Sequence, residues 1–102
     1  MSKFENRLAC VINADGTIAR GYMIDNCEFD GVNEYIITWK IKLQGEAKTN
    51  FSGTIGSSMY EKVSPGLITV GLMEDPLQMQ VHTYNPDGTP APRPFHIAVF
   101  RD

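Results

Sequence analysis

Tyr35, Ile37, Trp39, Ile41 and Leu43 recur at every second position, and Thr38, Lys40 and Lys42 fill the gaps. A period of two sends the first set to one face of a strand and the second to the other. One face is built for a core and the other largely for water, as in an antiparallel sheet with one buried side. A chain holding such a strand is constrained to a layered β architecture.

Turn signals divide the rest at short intervals: Asn13-Ala14-Asp15-Gly16, Asp30-Gly31-Val32-Asn33, Gln44-Gly45, Ser64-Pro65-Gly66, Glu74-Asp75-Pro76 and Asn85-Pro86-Asp87-Gly88. They combine glycine, which tolerates positive φ, with Asn, Asp, Ser or Pro, which favour turn geometry. This spacing predicts about eight strands, near residues 8–13, 17–21, 22–29, 34–43, 50–56, 67–72, 78–84 and 94–101. Helix is expected only as a short turn within Ser57–Val63, stopped by Ser64-Pro65. No internal repeat or linker is read. Thr89-Pro90-Ala91-Pro92-Arg93-Pro94 is a stiff extended lead into the last strand.

The expected fold is one domain over residues 1–102, a compact all-β antiparallel sandwich, jelly-roll-like or C1q-like. A chain of 102 residues buries one core, about two thirds of its unfolded surface. That core is expected to hold Val11, Ile37, Trp39, Ile41, Phe51, Ile55, Ile68, Val70, Val81, Phe95, Ile97 and Val99. The inward face of Tyr22–Phe29 stays open, since Tyr22 and Ile24 argue for one parity and Met23, Cys27 and Phe29 for the other.

The formal net charge is −3, so no basic excess favours nucleic acid. No stretch approaches the roughly 18 apolar residues of a membrane span. Met1–Arg7 is polar and Leu8–Ile12 is too short for a secretory signal. The chain is expected to be made in the cytoplasm; release by lysis or a dedicated exporter would leave no mark in it. Cys10 and Cys27 read as buried apolar groups in preference to a bridge.

Catalytic motifs are missing: no Gly-x-Ser-x-Gly, no phosphate loop with its lysine, no Gly-x-Gly-x-x-Gly, no Cys-x-x-Cys and no His-Glu-x-x-His. Gly53-Thr54-Ile55-Gly56-Ser57-Ser58 reads as a strand entering a turn. Asp25, Asn26, Glu28 and Asp30 could hold calcium by type, but their spacing does not match an EF-hand and alternation splits them between faces. They read as a solvated edge. Asn50-Phe51-Ser52 fits the glycosylation pattern and reads as incidental. Trp39 reads as core, not as a sugar platform. Tyr22, Tyr60 and Tyr84 are better placed for contacts. No catalytic residue, metal site or cofactor is assigned.

Two surfaces remain. If residues 78–84 and 94–101 are antiparallel neighbours, Gln80, His82, Tyr84, His96, Ala98 and Phe100 share an outer face, the expected interface. That face is half apolar, which suits a covering partner. A second copy is the simplest one. The two histidines could meet there, as half of a zinc shell or, with an acidic residue, as a hydrolase or isomerase site; interface histidines are the preferred reading. Tyr84, Asn85, Asp87 and Arg93, around the proline-held loop, are the expected ligand-binding residues if the domain binds carbohydrate.

Several elements together carry a resemblance. They are Asn13-Ala14-Asp15-Gly16-Thr17 with Gly21, Tyr35 with Trp39, Thr54-Ile55-Gly56, Pro65-Gly66 with Ile68-Thr69-Val70, Val81-His82-Thr83, and Arg93-Pro94-Phe95-His96-Ile97-Ala98-Val99-Phe100. From residue 8 onward the chain resembles short, uncharacterised bacterial β-proteins that end in a Pro-Phe-His-x-Ala-Val-Phe strand. The resemblance implies a cysteine before the Thr-Ile-Gly strand and another at the terminus; Ala47-Lys48 and Arg101-Asp102 stand there instead, so such a bridge is absent. More distantly the layout resembles trimeric β-sandwich heads of phage tail fibres and C1q-like domains, which implies a homotrimer. The expected function is a non-enzymatic, self-associating structural or binding module. A lectin-like, carbohydrate-binding module is the alternative, and a partner could also be another protein. Nucleic acid and membrane are not expected partners.

Overall fold

The computed structural model describes residues 7–43 and 49–101; the turn expected at Gln44-Gly45 lies outside them. The strands are β1 (Arg7–Ile12), β2 (Ile18–Tyr22), β3 (Ile24–Phe29), β4 (Glu34–Trp39), β5 (Thr49–Ile55), β6 (Leu67–Leu72), β7 (Gln78–Tyr84) and β8 (Phe95–Arg101). They form two four-stranded sheets, ordered β2-β1-β8-β5 and β3-β4-β7-β6. Every neighbouring pair is antiparallel. The all-β sandwich holds, and Ser57–Val63 forms no helix.

The sheets close on one another through Leu8, Cys10 and Ile12 from β1, Tyr35, Ile37 and Trp39 from β4, Met79 and Val81 from β7, and Phe95, Ile97 and Val99 from β8. Alternation decides this set, because these strands show one residue inward and the next outward. Ile41, Phe51, Ile68 and Val70 pack around it as partly buried neighbours. Two expected core residues belong elsewhere. Val11 has the outward parity of β1, where Leu8, Cys10 and Ile12 take the inward places. Ile55 is only half-buried and stands outside the central cluster.

β4 stops at Trp39, although its alternation runs on to a buried Leu43. The reason lies in its neighbours. Met23 has φ 66° and turns the chain from the first sheet into the second, so β3 offers no ladder beyond Ile24. Lys40 N–H bonds instead to the Met23 carbonyl at 2.8 Å. The parity question in Tyr22–Phe29 is resolved by the same region. Tyr22 ends β2 facing outward, and a register shift between Ile24 and Asn26 inserts one extra residue. Ile24, Cys27 and Phe29 therefore all pack on the core, as a bulge permits.

One motif occurs twice. Asn13-Ala14-Asp15-Gly16-Thr17 and Asn85-Pro86-Asp87-Gly88-Thr89 make the same bonds. In each, the Asn N–H reaches the Thr carbonyl and the Gly N–H reaches the Asn carbonyl, all at 2.9 Å. The Asp carboxylate accepts from the Thr N–H and hydroxyl, at 3.0 and 2.6 Å in the first turn and 3.0 and 2.7 Å in the second. The reading of no internal repeat is corrected at the level of this five-residue turn. After the first copy the chain returns as β2. After the second, prolines cannot donate to a ladder, so only Tyr84 and Pro90 bridge before the chain crosses to the other sheet as β8.

The ionisable groups set a pH window. Thr17 and Thr89 hold the Asp15 and Asp87 carboxyls below the ordinary carboxylate range, and the backbone N–H groups of Val32, Glu34 and Asn33 do the same for Asp30. Their contribution is complete above the unfolded value near 3.8 and is lost as pH falls through the lowered folded values. Cys10 and Cys27 are free thiols; burial pushes Cys10 up to about 12 and Cys27 up to about 11. Burial also raises the Tyr35 phenol. Unfolding lets these three ionise, so stability falls as pH rises above the unfolded thiol value of 9.0. The urea midpoint is expected to stay level between about pH 4 and 9 and to drop on both sides; a midpoint still rising at pH 10 would contradict this.

Candidate functional site on the outer face of the first sheet

Cross-strand register builds the outer face of the first sheet in rows. Tyr22, Ala9, Ala98 and Ser52 form one row across the four strands. Arg20, Val11, His96 and Thr54 form the next. Arg7, Phe100 and Asn50 lie on the other side of the small row. Side chains directly opposite on one face stand about 5 Å apart. A row of alanine, alanine and serine between rows of larger residues therefore leaves a depression. The depression measures about 610 Å³, within the range of ligand and docking pockets. Methyl groups of Ala9 and Ala98 floor it; Tyr22, Arg20, Thr54 and His96 stand around it.

His96 links this hollow to the loop after β5. Its Nε2 lies 3.1 Å from the Ser57 carbonyl. A carbonyl only accepts, so Nε2 carries the proton that faces Ser57. Gly56 makes room for the ring, because a Cβ there would lie 2.9 Å from His96 Cδ2. Among the described residues no carboxylate lines the hollow beside the imidazole. What this arrangement offers is an apolar bed with a polar, partly cationic rim, suited to binding.

The expected shared face of Gln80, His82, Tyr84, His96, Ala98 and Phe100 is divided. β7 lies between β4 and β6 in the second sheet, and β8 between β1 and β5 in the first. Gln80, His82 and Tyr84 thus look out on one side of the sandwich, and His96, Ala98 and Phe100 on the other. The cause is the proline-rich crossover, which carries the chain between sheets instead of folding β8 back along β7. The two histidines cannot converge on a metal or a substrate. His82 Nε2 pairs with Glu34 Oε2 at 3.0 Å instead. That second face also carries Glu28, Thr38, Gln78 and Thr69, together with Ile36 and Leu67, a mostly polar composition.

Asn85, Asp87 and Arg93, expected around the proline-held loop, spend their polar groups on bonds within the chain. Asn85 Nδ2 donates to Thr89 Oγ1 at 3.2 Å and Asp87 is spent on Thr89. Arg93 fastens the loop before β6, reaching the Pro65 carbonyl at 2.9 Å and the Ser64 carbonyl at 2.5 Å. Tyr84 is half-buried opposite Leu67. In the acidic stretch, Asn26 Nδ2 lies 3.4 Å from Glu28 Oε1. The Asp30 carboxylate takes the N–H groups of Val32, Asn33 and Glu34 at 2.8–3.1 Å. Among the described residues no group of three or more His, Cys, Asp or Glu is arranged around a metal position. Trp39 is fully buried, whereas Tyr22 and Tyr60 are exposed.

Ala9, Arg20, Ser52 and Thr54 were not read from the sequence as site residues, and Val11 was read as core. The signal was present only as small or polar residues at outward parity on three strands, and it needs the strand order to be assembled. Compared with protein-family models, curated proteins and solved structures, the chain finds no match in any of the three.

Proposed function

We propose that this protein is a non-enzymatic module that self-associates through the outer face of its first sheet. The supporting observation is the pairing, on one face, of the hollow floored by Ala9 and Ala98 with the apolar side chains of Tyr22 and Phe100, 45% and 54% exposed. The opposite outer face exposes Leu67 opposite Tyr84 and carries Ile36, but these stand among Glu28, Glu34, Gln78, Gln80 and His82, and the hollow beside Glu28, Glu34 and Ile36 is only about 140 Å³. An apolar depression flanked by exposed aromatics is what an interface core requires before its partner arrives. In a domain of this size a second copy also enlarges a limited core. A carbohydrate-binding reading is less well served, because Asn85 and Asp87 spend their polar groups on Thr89 and Arg93 spends its own on Ser64 and Pro65.

Light scattering after size exclusion tests the reading. At tens of micromolar the chain is expected to run with a mass of two or more copies, and Phe100→Glu to reduce it toward one. Phe100 points away from the core, so the variant keeps its far-ultraviolet spectrum. A wild-type chain of single-copy mass at 100 micromolar, or an assembly indifferent to Phe100→Glu, would overturn it.

A further inference from the structure

The loop between β5 and β6 is fastened at both ends and bare in the middle. At its start, Gly56 N–H reaches the Pro94 carbonyl at 3.0 Å, Ser57 accepts from His96, and Ser58 Oγ donates to Asn13 Oδ1 at 3.3 Å. At its end Arg93 holds Ser64 and Pro65. Between these anchors Met59 is 70% exposed and Tyr60 entirely so. Ser57 Oγ adds a short internal brace, accepting from Met59 N–H at 2.9 Å and donating to Glu61 Oε2 at 2.7 Å. Single exposed apolar residues need no explanation. Two adjacent large ones, held out by a braced loop beside an apolar hollow, do.

From this arrangement we infer that the Met59–Tyr60 tip of one copy inserts into the first-sheet hollow of a second copy, and that the insertion is reciprocal about a twofold axis. This rests on the self-association reading and names its contact. Both tip residues are exposed in their own chain and neither lines its own hollow. Loop and hollow adjoin, since His96 lines one and bonds the other. A single patch then carries both complementary parts, which is the condition for an isologous interface.

Volume and charge agree. A hollow of about 610 Å³ has room for both side chains. Arg20 rims it and Arg7 lies on the same face, and the only ion pair among the described residues is His82 with Glu34. Glu61 follows Tyr60 directly and brings a carboxylate to that cationic rim, with Lys62 as the loop's other charge. A buried tyrosine contributes about 150–250 Å². Two of them, with two methionines and the walls they cover, approach the lower limit of stable interfaces near 1,200 Å². The association is therefore expected to be of about micromolar strength.

Sedimentation equilibrium of the full chain distinguishes the outcomes. Wild type is expected to weigh two copies. Tyr60→Ser removes the tip and Ala98→Arg fills the hollow with a cation beside Arg20; each alone is expected to weaken association at least tenfold. Mixed in equal amounts, the two variants are expected to regain a two-copy species, because Tyr60 on one chain still meets an open hollow on the other. Both substitutions sit on outward positions, and circular dichroism checks the fold. A wild-type dimer unchanged by Tyr60→Ser, a mixture no heavier than its components, or a wild-type trimer overturns the insertion while leaving self-association standing. A single-copy wild type overturns both.

Discussion

Replacing Tyr35 by alanine is expected to lower the free energy of unfolding by about 3–5 kcal/mol, the range for removing a large buried ring. A domain of this size has about 5–15 kcal/mol in total, so the variant loses a large share of its stability. Tyr35 is fully buried and joins both sheets. Its ring stacks on Phe29 of the same sheet, with centroids 4.5 Å apart and planes 12° from parallel. It meets Phe95 of the opposite sheet edge-on at 4.9 Å and 73°. Its hydroxyl donates to the Ala14 carbonyl at 2.7 Å and lies 3.5 Å from the Arg93 carbonyl. One side chain thus ties the first turn and the crossover to the core. Tyr35→Phe separates the two roles. It keeps the ring and removes the hydroxyl, at a cost of about 0.5–1.5 kcal/mol. Urea unfolding with an unchanged m-value measures both; an alanine variant losing under about 1 kcal/mol would show that the ring trio does not hold the sheets together.

Strand positions were legible because burial on one face writes a period of two into the chain, and the Tyr35–Trp39 run shows it most cleanly. Other features depend on partners that the sequence does not name. The Asp25 bulge shifts parity by one residue, so Tyr22–Phe29 offers two conflicting alternations that only the register with β4 reconciles. The separation of β7 from β8 follows from prolines that read equally well as a hairpin loop. The twin Asn-x-Asp-Gly-Thr turns were visible as turns, but their identity in hydrogen bonding emerges only when Asp15 and Asp87 are seen to serve Thr17 and Thr89 alike.

The hollow was the least legible element. Ala9 and Ala98 are ordinary strand residues, and nothing in either local pattern marks a hollow. They matter because β1 and β8 pair with Ala9 opposite Ala98, and because Tyr22 and Ser52 extend the same row. A site made by a lack of side chains is a property of register, not of composition. Half of the expected interface, His96, Ala98 and Phe100, lies on this face because outward parity was read correctly on β8. The other half was assigned to it through a strand pairing that the crossover prevents.

The twin turns allow a controlled substitution. Gly16 and Gly88 have φ near 90° in the same motif, at 90° and 89°. Alanine at either site meets the left-handed penalty of about 1–2 kcal/mol. Their surroundings differ. A Cβ on Gly88 meets nothing within 4 Å, whereas one on Gly16 would lie 2.5 Å from Phe29 Cβ. Phe29 Cβ is next to backbone and cannot swing aside, so overpacking adds about 1–3 kcal/mol at Gly16 alone. Gly88→Ala is therefore expected to lower Tm by several degrees, and Gly16→Ala by roughly twice as much or more. Subtracting one variant from the other cancels the conformational penalty and leaves the steric one. Equal losses at both sites would mean that Phe29 yields without cost. Its stack on Tyr35 would then be a loose contact, and the large effect expected for Tyr35→Ala would have to come from Phe95 and the hydroxyl.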